Sequence, residues 1–161
     1  AESAGSSDGA VFVPALTGLG APFWDSEIRG SILGLARGTT DGNIAYATLE
    51  GIAFQVAAVV QAMGEDSGKP VTELRVDGGA AANDLLMQIQ SDVLSSQVIR
   101  AKNLESTGFG AALLAGLGSG IWSSLDELSE LNPAARRFSP EQERDGDFAR
   151  WQKAVAVTSK F

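Results

Sequence analysis

The run Leu74-Arg75-Val76-Asp77-Gly78-Gly79-Ala80-Ala81-Ala82-Asn83 decides how this chain is read. Glu73 to Val76 forms a strand, and two glycines end it. A helix is expected to follow, from about Ala81 to Ser95. Glycine permits backbone angles that other residues resist, and it removes the side chain that would keep a ligand away from the main chain. The new helix offers unpaired N–H groups and the positive end of its dipole, and both favour phosphate. Asn83 falls on the first turn, where its amide can donate to and accept from a base or a ribose. Taken alone, the glycine pair is better read as a plain tight turn between strand and helix.

Working outward, Gln97 to Ala101 reads as a strand and Ser106 to Gly118 as a small-residue helix. Further helices are expected near Leu125 to Leu131 and from Pro140 to about Thr158. Upstream, Val11-Phe12-Val13 is a strand closed by Pro14, and Ser31 to Leu35 is another. Between them Thr17-Gly18-Leu19-Gly20-Ala21-Pro22-Phe23-Trp24-Asp25 reads as a structured loop, anchored by burying Phe23 and Trp24. A long helix is expected from Asp41, its N-cap, to Asp66. Ile44, Ala47, Ile52, Val56, Val59, Val60 and Met63 define its apolar face. Ser67-Gly68-Lys69-Pro70 stops it. Strands alternating with helices indicate an α/β domain with at least part of its sheet parallel. Few strands are present for a whole sheet, so upstream partners are expected. Residues 1–10, small, polar and Gly/Ser-rich, read as a linker or the start of a truncation, and residues 11–161 as one domain.

Composition narrows the chemistry. The 161 residues are 44% hydrophobic and 20% charged, as in a globular domain. Cysteine and histidine are absent, which excludes disulfides, thiolate and imidazole metal sites, and Ser-His triads. The net charge of −8 argues against nucleic-acid or anionic-membrane partners. No apolar run is expected to cross a bilayer. Backbone N–H groups and a bound cation can still hold a polyphosphate on an acidic protein.

Other constellations are weaker. Thr107-Gly108-Phe109-Gly110-Ala111-Ala112 resembles part of a dinucleotide fingerprint, but Leu113 stands where the third glycine belongs. Small residues at Gly110, Ala111, Ala112, Ala115 and Gly116 more simply let this helix pack close to a neighbour. Asp25 is read as a brace for its loop, Glu50 as a helix-packing residue and Asp77 as a support for the glycine turn. Glu141-Gln142-Glu143-Arg144-Asp145 is read as a solvated first helical turn. No pair of carboxylates suits acid–base catalysis.

Gly30 to Glu50, GSILGLARGTTDGNIAYATLE, resembles the second signature of the FGGY carbohydrate kinases, with Asn43, Ile44, Ala47, Thr48, Leu49 and Glu50 filling its second half. Val13 to Asp25 and Leu74 to Asp92 resemble the branch of that family that phosphorylates glycerol. The resemblance continues through Leu113 to Leu117, Trp122, Leu125 to Leu128 and Trp151 to Val155. It implies the C-terminal part of a two-domain kinase with an actin-like ATPase, ribonuclease H-like fold, its sheet incomplete and flanked by helices. ATP with Mg²⁺, and glycerol held by an upstream portion, are the implied ligands. A cytoplasmic, homo-oligomeric parent is the implied setting. Gly79 and Asn83 match the family's nucleotide contacts, with Gly78 and Ala80 shaping the turn around them. No catalytic or metal-binding residue is expected in this chain, because the family's base aspartate and phosphate loops lie upstream. The family usually has Thr-Ala-Leu-Gly-Ala-Ala where Thr107 to Ala112 stand, and Gly108 lowers helix propensity there by up to about 1 kcal/mol relative to alanine.

Three rival readings remain. One is a sibling kinase acting on xylulose or gluconate. Another is a non-catalytic nucleotide-binding module. The last, a dinucleotide-dependent oxidoreductase, rests only on Gly108 and Gly110 and lacks an acidic ribose partner.

Overall fold

The computed structural model describes residues 1–128 and 131–161. In chain order the elements are β1 (Val11–Val13), β2 (Ser31–Leu33), α1 (Asp41–Ser67), β3 (Glu73–Val76), α2 (Asp84–Leu94), β4 (Gln97–Ala101), α3 (Ser106–Gly118), β5 (Ala134–Phe138) and α4 (Asp145–Thr158). Single 3₁₀ turns occupy Glu2–Ala4, Gly79–Ala82 and Asp126–Leu128. The strands fall into two small sheets. β1 and β2 pair antiparallel, with Val11 opposite Leu33. In the second sheet β4 is central: β3 runs parallel to it, Leu74 opposite Val98, and β5 antiparallel, Val98 opposite Phe138. The expected α/β architecture with a partly parallel sheet is therefore present, and α2 makes the crossover from β3 to β4.

α1 begins one residue earlier in function than expected. Thr40, not Asp41, is the N-cap: its hydroxyl accepts from the Asn43 N–H at 3.2 Å, and the Asn43 Oδ1 accepts from the Thr40 N–H at 2.9 Å. This is a capping box in which Asn replaces the usual Glu or Gln. Asn43 also donates to the Ser6 carbonyl at 2.9 Å, tying the opening segment to the helix. The helix ends at Gly68, whose φ of 65° is left-handed.

The buried side of α1 is Tyr46, Ala47, Gly51, Ala53, Phe54, Ala57 and Ala58, with Asn43 and Glu50. Of the apolar face expected from sequence only Ala47 is fully buried, and Met63 is exposed. Apolar residues surround much of this helix, so periodicity could not choose the side; close approach chose it, because small residues let β1 and α2 come near. By length and composition the helix is also apolar enough to cross a membrane, its 18-residue window having a mean hydropathy of 1.4. The expectation that no segment reaches that threshold is corrected. However, 56% of that window is buried inside the fold, and Glu50 there is ion-paired, which identifies a core helix.

A β-carbon at Gly51 would lie 2.5 Å from the Phe12 carbonyl oxygen. Gly51→Ala therefore sets a helix-propensity gain of up to about 1 kcal/mol against overpacking that costs about 1–3 kcal/mol. The contact is with backbone, which yields little, so a net loss of stability is expected. Urea unfolding measures it, and a more stable variant would show that the α1–β1 seam has slack.

Trp151 of α4 is fully buried and joins the two ends of the chain. Its indole N–H donates to the Phe12 carbonyl at 3.0 Å, and its ring meets Phe23 edge-on at 5.9 Å and stacks with Phe148. Phe23 thus anchors its loop as expected. Trp24 does not: it is 79% exposed with φ 51°. Asp25 braces the loop, accepting from the N–H groups of Glu27 and Ile28 at 3.0 Å and from the Ser159 hydroxyl. Those bonds, the Ser159 contact first, hold its carboxyl below the usual carboxylate range.

Three expectations in the C-terminal third change. β5 was not anticipated, because four of its five residues are exposed and carry no alternation. The helix expected over Leu125 to Leu131 is a 3₁₀ turn at Asp126–Leu128, with residues 129 and 130 outside the described residues. Helix α4 starts at Asp145, so Glu141 to Asp145 is not its first turn, and Arg144 is buried rather than solvated.

Candidate functional site

β3 and β4 are parallel neighbours, so their C-terminal ends open on the same side of the sheet, where α/β folds place ligands. Two segments emerge there, Asp77 to Asn83 after β3 and Lys102 to Glu105 after β4. They touch: the Gly78 N–H donates to the Leu104 carbonyl at 2.9 Å. Gly78 has φ 80° and ψ 170°, a combination essentially reserved to glycine. Gly79 to Ala82 then form the 3₁₀ turn, with only Ala81 buried.

This turn is the place where the expected residues Gly78, Gly79, Ala80 and Asn83 come together. Gly79, Ala80, Ala82 and Asn83 are exposed along one edge. A β-carbon built on Gly79 meets nothing within 4 Å, so the main chain there faces open space. The helix begins later than expected, at Asp84, and Asn83 is its N-cap: Oδ1 accepts from the Leu86 N–H at 3.0 Å. The cap occupies the amide oxygen and leaves the NH₂ group without a hydrogen bond among the described residues. Asn83 therefore offers donors to a ligand more readily than an acceptor.

Asp77 does not support the turn. It is exposed, and no hydrogen bond ties it to the glycines. That role falls to Arg100 of β4, which sequence reading did not single out. Its Nη1 donates to the carbonyls of Ala81 and Ala82 at 3.0 and 3.3 Å and to Asp84 Oδ1 at 2.7 Å. Arg136 of β5 pairs with the other oxygen of Asp84. Both guanidinium groups stand over the Phe138 ring, at 5.4 and 4.7 Å from its centroid. The Arg100 hydrogen bond, with both arginine charges and against the opposing effect of burial, holds the Asp84 carboxyl below the usual carboxylate range. Arg100 was missed because it lies 16 residues beyond Asp84, and nothing local in the sequence pairs them.

The second glycine pair resolves differently. Gly108 and Gly110 lie inside α3 instead of in a turn before it, so the dinucleotide fingerprint has no strand–turn–helix setting. Nor does α3 pack closely on a neighbouring helix as expected. Among its described residues only Gly116 is buried, against the Trp122 ring. Among the described residues, no three acidic side chains converge as a metal site would require. A cavity of about 670 Å³ lined by Ile28, Arg29, Leu33, Val157 and Phe161 does not include the glycine turn, which is an open surface rather than a closed pocket.

Comparison with known proteins bears on the fold and the family. Residues 1–119 match the C-terminal domain model of the FGGY family of carbohydrate kinases. The glycerol kinase of Aromatoleum aromaticum is 55% identical over 158 residues, covering 96% of this chain and 32% of that protein. The chain thus spans about a third of the length of such curated relatives. A crystal structure of Plasmodium falciparum glycerol kinase with ADP superposes with a TM-score of 0.85 at 39% identity, covering 98% of this chain and 32% of that one. A gluconate kinase from Lactobacillus acidophilus reaches 0.71 at 26% identity, over 96% of this chain and 30% of that one. The fold is accordingly the α/β C-terminal fold of actin-like ATPase kinases, and this chain belongs to the FGGY family of carbohydrate kinases.

Proposed function

We propose that this chain forms the adenosine-holding part of a kinase that transfers the γ-phosphate of ATP to glycerol, giving ADP and glycerol 3-phosphate. The observation that carries the reading is the open Gly79 main chain at the C-terminal ends of β3 and β4, in a fold that superposes on an ADP-bound glycerol kinase. Gly79 lets the nucleotide lie against the backbone, Asn83 donates to adenosine, and Gly78 and Ala80 set the shape of the turn. Phosphoryl transfer of this kind depends on positioning and charge stabilisation. In this reading Mg²⁺ is carried by the ATP phosphates and by residues outside this chain. The base that takes the glycerol proton is also outside it, and the Asp84 carboxylate at the glycine turn is paired with Arg100 and Arg136. The parent is read as cytoplasmic and homo-oligomeric. Glycerol is preferred over gluconate as acceptor because identity to the named glycerol kinases exceeds that to the gluconate kinase.

Residues 1–161 alone are expected to show no ATP-dependent phosphorylation of glycerol in a coupled assay. The same chain is expected to bind ATP and ADP weakly and within about threefold of each other, since tenfold discrimination requires about 1.4 kcal/mol of differential contact and the groups assigned to the nucleotide, Gly79 and Asn83, address its adenosine half. Titration calorimetry decides: a strong, Mg²⁺-dependent preference for ATP would place phosphate contacts in this chain. Turnover surviving a contaminant control would place the whole reaction in it.

A further inference from the structure

We infer that Arg100 is the positioning residue of the nucleotide turn. The inference rests on the reading of Gly78 to Asn83 as the adenosine site and goes further by naming what holds that site in shape. The turn is short and mostly exposed, with only Ala81 buried. Such a segment has few apolar contacts to order it. At its start it is fastened by the Gly78 N–H to Leu104. At its end the Ala81 and Ala82 carbonyls both accept from a single Arg100 nitrogen, the same one that binds Asp84.

A planar peptide points its N–H opposite its C=O. Fixing the Ala81 and Ala82 carbonyls toward β4 therefore fixes the two peptide groups that carry the Ala82 and Asn83 N–H, the stretch that leads into the Asn83 cap. The guanidinium is itself held. Its side chain is 17% exposed, lies over Phe138, and is tethered by Asp84, whose second oxygen is taken by Arg136. A charged donor serving two carbonyls forms stronger bonds than neutral ones. Removing it leaves the turn to sample other conformations, and apparent affinity falls in proportion to the competent fraction.

The test uses the full-length kinase proposed above, with adenosine, ADP and ATP as probes. Arg100→Met keeps the aliphatic stem over Phe138 and removes every donor. It is expected to raise the ATP KM and the dissociation constants of all three probes about tenfold, as for a turn competent about a tenth of the time. The glycerol KM is expected to stay within about twofold, and Arg100→Lys to recover most of the loss because it returns a charged donor. Weakening of ADP and ATP without adenosine would make Arg100 a phosphate contact and overturn the inference. So would unchanged nucleotide binding in Arg100→Met while Gly79→Val impairs it. If Gly79→Val has no effect either, the reading of the site itself has failed. Should Arg100→Met not fold, Asp84→Ala replaces it. That variant frees the guanidinium while leaving the strand intact, with about a threefold loss for all three probes expected on the same ground. No loss there overturns the inference.

Discussion

Glu50→Ala is expected to lower the free energy of unfolding by about 3–5 kcal/mol, the usual result of removing one partner of a buried ion pair. The Glu50 and Arg144 side chains are 9% and 10% exposed and meet at 2.5 Å, and Tyr46 adds its hydroxyl to Arg144 at 3.1 Å. Burial alone would weaken the arginine's hold on its proton. The hydrogen bonds it donates to Glu50 and Tyr46, with the Glu50 charge, outweigh this, so the pKa of Arg144 rises. No accessible pH neutralises it, and without Glu50 a cation is stranded in the core. Asp147, at 3.3 Å with a side chain 52% exposed, compensates little. The Arg144 Nε already lacks a partner, so the cluster has no spare acceptor. A domain of this size has only about 5–15 kcal/mol in total, which makes the change large. Glu50→Met with Arg144→Met removes both charges and is expected to recover most of the loss. Urea denaturation of the three proteins checks this, and a loss below about 1 kcal/mol for Glu50→Ala would mean that the pair is effectively solvated.

Gly79→Val in the full-length kinase is expected to raise the ATP KM by a factor of ten or more, equivalent to about 1.4 kcal/mol or more of lost binding, while the fold survives. Gly79 is not among the residues with positive φ, and its absent β-carbon faces open space, so valine meets no steric penalty in the protein itself. It meets one only if a nucleotide lies there. Gly78→Val is the contrasting control. At φ 80° a branched side chain is strained whether or not a ligand is bound, so stability falls together with affinity. Steady-state kinetics with thermal melting separates the two, and unchanged ATP kinetics in a folded Gly79→Val enzyme would make the turn purely structural.

What was legible in the sequence depended on where the deciding contact lay. β1, β3, β4, α1 and α3 were legible because glycine, proline and apolar runs bound them locally. The Gly78 turn was legible for the same reason, its two glycines closing β3, although the 3₁₀ turn that delays α2 to Asp84 was not. The cap of α1 was misplaced by one residue because Thr40 and Asp41 are both good caps, and only the Asn43 geometry chooses between them. β5 escaped because an edge strand with Arg136 and Arg137 facing solvent lacks a hydrophobic pattern. Arg144 and Arg100 escaped for a shared reason. Each is an ordinary surface residue by type, and its burial or its role is created by partners 94 and 16 residues away.

The bond from Trp151 to the Phe12 carbonyl spans 139 residues, and Ser31 bonds Thr158 across 127. β1 is therefore made well before the indole that seals it, which follows some 140 residues later, about 7–30 s at ordinary elongation rates. During that interval the Val11–Val13 strand and the α1 seam have no Trp151 over them, and the nascent chain exposes an unclosed apolar surface. Chaperone demand on this segment should accordingly concentrate in that window, ending when Trp151 packs on β1.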